Sequence, residues 1–394
     1  MTEKGTMAKL KKISILGSTG SIGVNTLRIV EQFPDRLKVV SLAAGRNFSL
    51  LARQVEKFRP ARIAVGEAAS IPALKSKLKD RKVEILSGPE GLSALARDRE
   101  TQEVVLAVSG SIGLRPALAA LQAGKQLALA NKEALVMGGK LLMKAASGLG
   151  NSLIPIDSEH SALFQLLEGK KPAEIVRLFL TASGGPFLNR DPRSLSRVTP
   201  EEALFHPVWK MGRKVSIDSA TMMNKGLEVM EAHYLFRTEP ERLRVLIHPQ
   251  GRVHALIELK DGAVLGHLGI PDMRIPIAYA LSYPDRFPLR LPVLSLPELK
   301  GLTFLEAGLR RFPALRLAYS ALAAAGTMPA VLSVANENAV EAFLARRISF
   351  PRIVELVARV MDAWKENPAA SLEAIAAAEA WARRKTETVI KRLK

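Results

Sequence analysis

Apolar residues gather in short runs along the first third of the chain, and each run is followed by a segment of helical period. ISILG is followed by a helix ending near Phe33, and LKVVSLAAG by a helix ending near Arg59. ARIAVG, VEILSG, VVLAVSG and KQLALAN come next, separated by helix-length spacers. Strands that are apolar nearly throughout and alternate with helices are buried on both faces, which predicts a parallel, doubly wound, Rossmann-like sheet. The middle is less regular, with strands predicted at Ile175–Thr181, Val253–Glu258 and Val264–His267. Pro284–Pro297 is proline-studded and reads as part of a linker. From about Ala307 the pattern is helical, and EAFLARR and FPRIVELVARVMDAW are amphipathic. The predicted organisation is α/β: a cofactor-binding domain over 1–156, a central α/β catalytic domain over 157–283, a linker over 284–306 and a C-terminal helical domain over 307–394.

Composition narrows the class. The 394 residues contain no cysteine, which excludes disulfides, thiolate metal sites and a cysteine nucleophile, and leaves the cytosol as the expected compartment. No apolar run is long enough to span a bilayer. MTEKGTMAKLKK has no apolar core and reads as a short tail, not a signal peptide. The formal charge of +19 suits either nucleic acid or small phosphorylated ligands. Residues 1–156 hold 24 basic and 12 acidic residues, a net of +12, whereas residues 157–300 hold 19 and 17, a net of +2. All six histidines lie in that balanced middle segment. Only 5% of residues are aromatic and no nucleic-acid motif is present, so a nucleic-acid partner is not expected.

The first strand runs into Gly17-Ser18-Thr19-Gly20-Ser21-Ile22-Gly23 and then a helix. Glycines there allow a sharp turn and close approach to a pyrophosphate, which the helix N-terminus stabilises. The second strand ends in Gly45-Arg46-Asn47, with no acid to bind a ribose diol; a guanidinium at that place suits a 2′-phosphate and points to NADP(H). Asp157 and Glu159 follow the last parallel-strand pattern and can converge on a hard divalent cation. Asp218, Glu228 and Glu231 are candidates for a third carboxylate. Ser219, Asn224 and Lys225 supply hydroxyl, amide and ammonium donors for a phosphate monoester. Ser183-Gly184-Gly185 is a second candidate anion loop, and His206–Gly212, with Trp209 and Met211, reads equally as a mobile lid or as a structural loop with a packed Trp. Met222, Met223 and Met230 read as core, and His248 and His254 as structural or hydrogen-bonding residues.

The ordered blocks GSTGSIG (17–23), ANKEALVMGG (130–139), PIDSEHSA (155–162) and TASGGPF (181–187) resemble the 1-deoxy-D-xylulose 5-phosphate reductoisomerase family. So do the blocks at 206–232, HPQGRVHA (248–255) and GIPDMRIPIAYAL (269–281). The resemblance implies rearrangement of the deoxyxylulose phosphate skeleton and reduction by NADPH, giving 2-C-methyl-D-erythritol 4-phosphate, an isoprenoid precursor. It implies a homodimeric enzyme using Mg²⁺ or Mn²⁺, with Co²⁺ a further candidate, and the lack of a transit-like segment leads us to expect a bacterial cytosol. By resemblance, Asp157, Glu159 and Glu228 hold the metal, and Ser183, Ser219, Asn224 and Lys225 bind the substrate phosphate. Ser158 and Lys132 then sit beside the oxygen-bearing carbons, and His206, Trp209 and Met211 form the lid, with His206 also catalytic. Thr19, Gly20, Ser21 and Ile22 cradle the cofactor, Gly45, Arg46 and Asn47 its 2′-phosphate side, and Asn131 and Glu133 its nicotinamide end; Gly212 joins the cofactor set. A retro-aldol/aldol route is preferred over a concerted shift. The rival readings are a metal-independent NADP dehydrogenase of the semialdehyde or homoserine type, and a nucleic-acid-binding protein or NADPH-sensing regulator.

Overall fold

A computed structural model describes residues 10–78, 81–148, 152–209, 211–366 and 371–392. The first nine residues of the expected tail lie outside that set, and Lys11 and Lys12 already belong to the first strand. The chain forms two compact units. The first comprises residues 1–131, 144–157 and 272–290, and the second 132–143, 158–271 and 291–394. The expected domain boundary at Tyr283 falls inside the segment that returns to the first unit.

The first unit is built on seven strands: β1 (Lys11–Leu16), β2 (Leu37–Ala44), β3 (Arg62–Val65), β4 (Glu84–Ser87), β5 (Glu103–Leu106), β6 (Gln126–Leu129) and β7 (Leu153–Pro155). Their order is β4-β3-β2-β1-β5-β6-β7, and every pairing is parallel. The strand order reverses between β1 and β5, and crevices at such switch points take the ligands of doubly wound sheets. Ile13, Ile15, Leu42, Ile63 and Val105 are wholly buried, as helices on both faces require. The returning helix Arg274–Ser282 adds Ile277, Ala278, Ala280 and Leu281 to the same core.

Beneath this helix, Lys11 Nζ donates to Glu103 Oε2 at 2.8 Å, to Leu281 O at 2.7 Å and to Gln126 Oε1 at 3.2 Å. A second buried polar line, Ser41–Ser14–Thr101, links adjacent strands through hydroxyls 2.5 Å apart. Both lines pair polar groups that an all-apolar core would exclude, although the second oxygen of Glu103, Oε1, is buried without a hydrogen-bond partner among the described residues.

The second unit carries a five-stranded mixed sheet, in the order β11-β10-β8-β9-β12. Its strands are β8 (Ile175–Ala182), β9 (Leu243–Ile247), β10 (Val253–Leu259), β11 (Val264–Leu268) and β12 (Leu305–Glu306). β8 and β9 run parallel and the other pairs antiparallel. β12 lies within the stretch read as linker. Helix Met223–Phe236 packs on β8 and β9, and helix Pro313–Ala324 crosses it closely where Gly226 faces Ala318. Helices Met328–Leu344, Phe350–Ala363 and Leu372–Arg392 complete the unit. Among the described residues, no helix is long and apolar enough to cross a membrane.

Candidate functional site

In the first unit the glycine loop is held from two sides. Gly17 N and Ser18 N donate to Ala43 O at 2.9 and 2.8 Å, at the end of β2. Ser18 Oγ donates to Gln54 Oε1 at 2.7 Å, and Gln54 Nε2 returns a bond to Ser18 O at 2.8 Å. Gly17 has φ +100°, and a Cβ there would lie 2.4 Å from Ala107 O, so only glycine fits between β1 and the turn after β5. Helix Ser21–Gln32 starts directly from this loop with no side-chain cap and no acid in its first turn. Its first N–H groups are therefore left without a side-chain acceptor, as at helix N-termini that bind anions. Thr19 and Ile22 are half-buried, while Gly20 and Ser21 are exposed.

Gly45, Arg46 and Asn47 are exposed at the end of β2. Asn47 Oδ1 accepts from Leu50 N at 3.1 Å and caps helix Phe48–Phe58. Arg46 has no carboxylate partner among the described residues, which suits a ligand phosphate. Asn131 Nδ2 donates to Val108 O at 2.9 Å and Gly110 O at 3.0 Å, shaping the turn after β5. Asp157 closes the first unit, half-buried just beyond β7.

In the second unit the chemistry converges on Glu228, whose side chain is 1% exposed. Lys132 Nζ lies 3.0 Å from Glu228 Oε1 and 2.8 Å from Asn224 Oδ1. Asn224 Nδ2 donates to the same Glu228 oxygen at 2.5 Å. Lys225 Nζ binds Glu159 Oε1 at 2.6 Å and also contacts Glu228 Oε2. Burial opposes charge on Lys225, but the two carboxylates outweigh it and raise its pKa above the ordinary value. Ser158 Oγ donates to Glu159 Oε2. His160 Nε2 meets Glu228 O at 2.9 Å, and its Nδ1 lies 3.6 Å from Glu231 Oε2, so Glu231 faces the imidazole. Glu228 and Glu231 thus share a helix and differ in surroundings.

Asp218 is taken up elsewhere. It pairs with Lys214 at 2.9 Å and accepts from Asn336 Nδ2 at 2.7 Å. Met222, Met223 and Met230 are buried in the core.

His206 Nδ1 accepts from Val208 N at 3.2 Å and Trp209 N at 2.8 Å, so the neutral ring carries its proton on Nε2. That nitrogen lies 3.0 Å from Ser183 Oγ and donates to it. Gly185 has φ +72°, and a Cβ there would meet Ser219 O at 2.7 Å, so the Ser183 loop rests against the backbone of the Ser219 helix. Trp209 and His254 have ring centroids 6.3 Å apart, and Met211 and Gly212 follow on the same segment. His248 is structural: its Nε2 accepts from Arg252 N and its Nδ1 donates to Thr303 O.

Burial pushes His206 and His254 each down to about 4. The ligand-free folded protein therefore resists protonation that the unfolded chain accepts below about pH 6.5, and it loses stability as pH falls from there toward 4. Imidazole NMR should show both rings neutral at pH 5.5; a midpoint near 6.5 for either would contradict this.

Three family models match the chain. They are 1-deoxy-D-xylulose 5-phosphate reductoisomerase over residues 13–139, its C-terminal domain over 153–236, and the DXP reductoisomerase C-terminal domain over 268–385. A 1-deoxy-D-xylulose 5-phosphate reductoisomerase of Geobacter metallireducens is 52% identical over 381 residues, covering 97% of this chain and 99% of its own. The chain belongs to the 1-deoxy-D-xylulose 5-phosphate reductoisomerase family. A crystal structure of DOX-P reductoisomerase in complex with NADPH, fosmidomycin and magnesium superimposes with a TM-score of 0.92 at 40% identity, covering 98% of this chain and 99% of that one. The reductoisomerase from Zymomonas mobilis in complex with NADPH gives 0.90 at 38% identity, covering 98% of this chain and 100% of that one.

Against this family background, the structure draws Lys132, Ser158, Glu159, Asn224, Lys225 and Glu228 into one hydrogen-bonded cluster, and Ser183 with His206 into a second pair. Sequence reasoning missed Gln54, which locks the glycine loop. It also missed Arg311, whose Nη2 donates to Leu188 O at 2.8 Å and Arg190 O at 2.7 Å behind the Ser183 loop. Neither stands in a recognisable motif, and both donate to backbone carbonyls of distant segments.

Proposed function

We propose that this protein rearranges 1-deoxy-D-xylulose 5-phosphate and reduces the product with NADPH to 2-C-methyl-D-erythritol 4-phosphate, using Mg²⁺ or Mn²⁺. The observation that carries the reading is the Glu228 cluster, in which carboxylates, ammonium groups and an amide are packed with almost no solvent. The donor set fits a hard cation: oxygens of Glu159 and Glu228 already converge on one positive charge, that of Lys225. Asp157, Glu159 and Glu228 would hold the metal, which when bound supplies Lewis-acid polarisation of the neighbouring carbonyl and hydroxyl oxygens. Thr19–Ile22 and Arg46 would hold NADPH, the hydride source.

The remaining work falls to the side chains. Ser183, Ser219, Asn224 and Lys225 bind the phosphate, a handle remote from the reacting carbons whose binding energy aligns them. Lys225, paired with Glu159 and Glu228 in the ligand-free protein, would be free to meet that dianion where those carboxylates hold the metal. Lys132, held by Asn224 and Glu228, donates to a substrate oxygen and can pass it a proton. His206 presents its Nε2–H beside Ser183, and Trp209 and Met211 exclude water when the segment closes. The active form is a homodimer in a bacterial cytoplasm, and the basic first unit helps attract two anionic ligands.

Following NADPH oxidation with the sugar phosphate, with and without Mg²⁺ or Mn²⁺, tests the whole reading. Turnover only in the presence of metal is expected, and none under metal-replete conditions would overturn it. Arg46→Ala should weaken NADPH binding by roughly 30-fold, through loss of a guanidinium–phosphate pair, and leave NADH binding unchanged. Fluorescence titration of both nucleotides checks this.

A further inference from the structure

The Lys214 ammonium joins three helices. It lies 2.5 Å from Glu133 Oε1, on the helix that begins at Lys132, and 2.9 Å from Asp218 Oδ2, one turn along its own helix Arg213–Thr221. Asp218 Oδ1 in turn accepts from Asn336 of helix Met328–Leu344 at 2.7 Å. The side chains of Glu133 and Asp218 are 7% and 1% exposed, and Asn336 is wholly buried. Burial alone would raise the pKa of Glu133, but Lys214 outweighs it and holds the carboxyl below the ordinary value.

Each end of this chain of contacts borders a group of the substrate site. Glu133 is the neighbour of Lys132, which reaches Asn224 and Glu228. Asp218 is the neighbour of Ser219, whose carbonyl supports the Ser183–Gly185 loop. A buried Glu133 carboxylate left without Lys214 would take a proton or draw on the next ammonium, that of Lys132.

We propose that Lys214 is a positioning residue: by pairing with Glu133 and Asp218 together, it fixes the Ser219 helix against the Lys132–Glu133 turn. It thereby sets where the substrate phosphate is held relative to Lys132. The proposal rests on the functional reading above for the identity of the phosphate.

Inorganic phosphate is the probe, titrated calorimetrically into the full-length protein in magnesium buffer. Lys214→Met should weaken phosphate binding by about tenfold and lower kcat with the sugar phosphate by a similar factor, while the protein remains folded. Ser219→Ala should weaken phosphate binding about tenfold in the wild type but less than about threefold in the Lys214→Met background, because the hydroxyl is already misplaced. Phosphate affinity within twofold of wild type, or fully additive losses, would overturn the proposal, as would a lower Tm with unchanged affinity and kcat per folded molecule. If Lys214→Met does not fold, Lys214→Gln, which keeps a donor, is held to the same thresholds. A wild type that binds phosphate but oxidises no NADPH with the sugar phosphate would refute the functional reading and leave the pairing test intact.

Discussion

Glu228→Gln should lower kcat/KM by about a thousandfold, whereas Glu231→Gln, three residues along the same helix, should cost only about tenfold. Both side chains are almost wholly buried, so exposure does not separate them. Their partners do. Glu228 receives Lys132, Asn224 and Lys225, and its two oxygens are fully engaged by groups that a substrate or a cation can replace. Glu231 instead faces the His160 ring, whose other nitrogen bonds the Glu228 carbonyl, so its part is to orient. Removing the Glu228 charge takes away a proposed metal ligand and leaves two buried ammonium groups short of a counter-ion. Removing the Glu231 charge keeps an amide of the same shape beside an imidazole. The comparison is made by NADPH oxidation, with Mn²⁺ affinity from the free-ion EPR signal. Equal losses in both variants would show that the third carboxylate has been misassigned.

Lys11→Met should destabilise the first unit by about 3 kcal/mol, because it strands a buried carboxylate. Glu103 is 0% exposed, and burial already raises its pKa against the pull of Lys11. The same lysine holds Leu281 O, so the helix Arg274–Ser282 should also lose amide-exchange protection. In the variant the carboxyl takes up a proton at a raised pKa. A raised folded-state value favours the fold at low pH and is lost as pH rises through it, so the deficit should be smaller at pH 5 than at pH 8. Lys11→Met combined with Glu103→Leu should recover most of the loss, since a well-packed apolar pair often replaces a buried ion pair at little cost. Urea unfolding at the two pH values checks both statements.

Six of the seven parallel strands were legible as apolar runs, unbroken where a strand is buried throughout, as in Val104–Leu106, whereas β7, with three residues, was not singled out. β9 was harder: Leu243–Ile247 interrupts its apolar residues with an exposed Arg244, and it sits beside a short turn. β12 has two residues, both exposed, and no period to detect. The candidate carboxylates and donors could be named from residue type and order, but not their partners. Asp218 and Glu228 are both acids in one dense segment, and only the fold sends the first to Lys214 and Asn336 and the second to Lys132 and Lys225. The place of Arg274–Ser282 was equally hidden, since its apolar face matches a sheet made more than a hundred residues earlier in the chain.

That returning helix has a consequence for synthesis. The first unit lacks Ile277, Ala278, Ala280 and Leu281 until they have left the ribosome, so its hydrophobic interior stays open while the whole of 158–271 emerges. A nascent chain stalled before residue 272 holds all seven strands of the first sheet and still exposes the apolar surface that this helix covers. The interval in which the dinucleotide-type sheet is vulnerable to aggregation or proteolysis is thus set by the length of the segment inserted into it, and chaperone capture should be greatest over those residues.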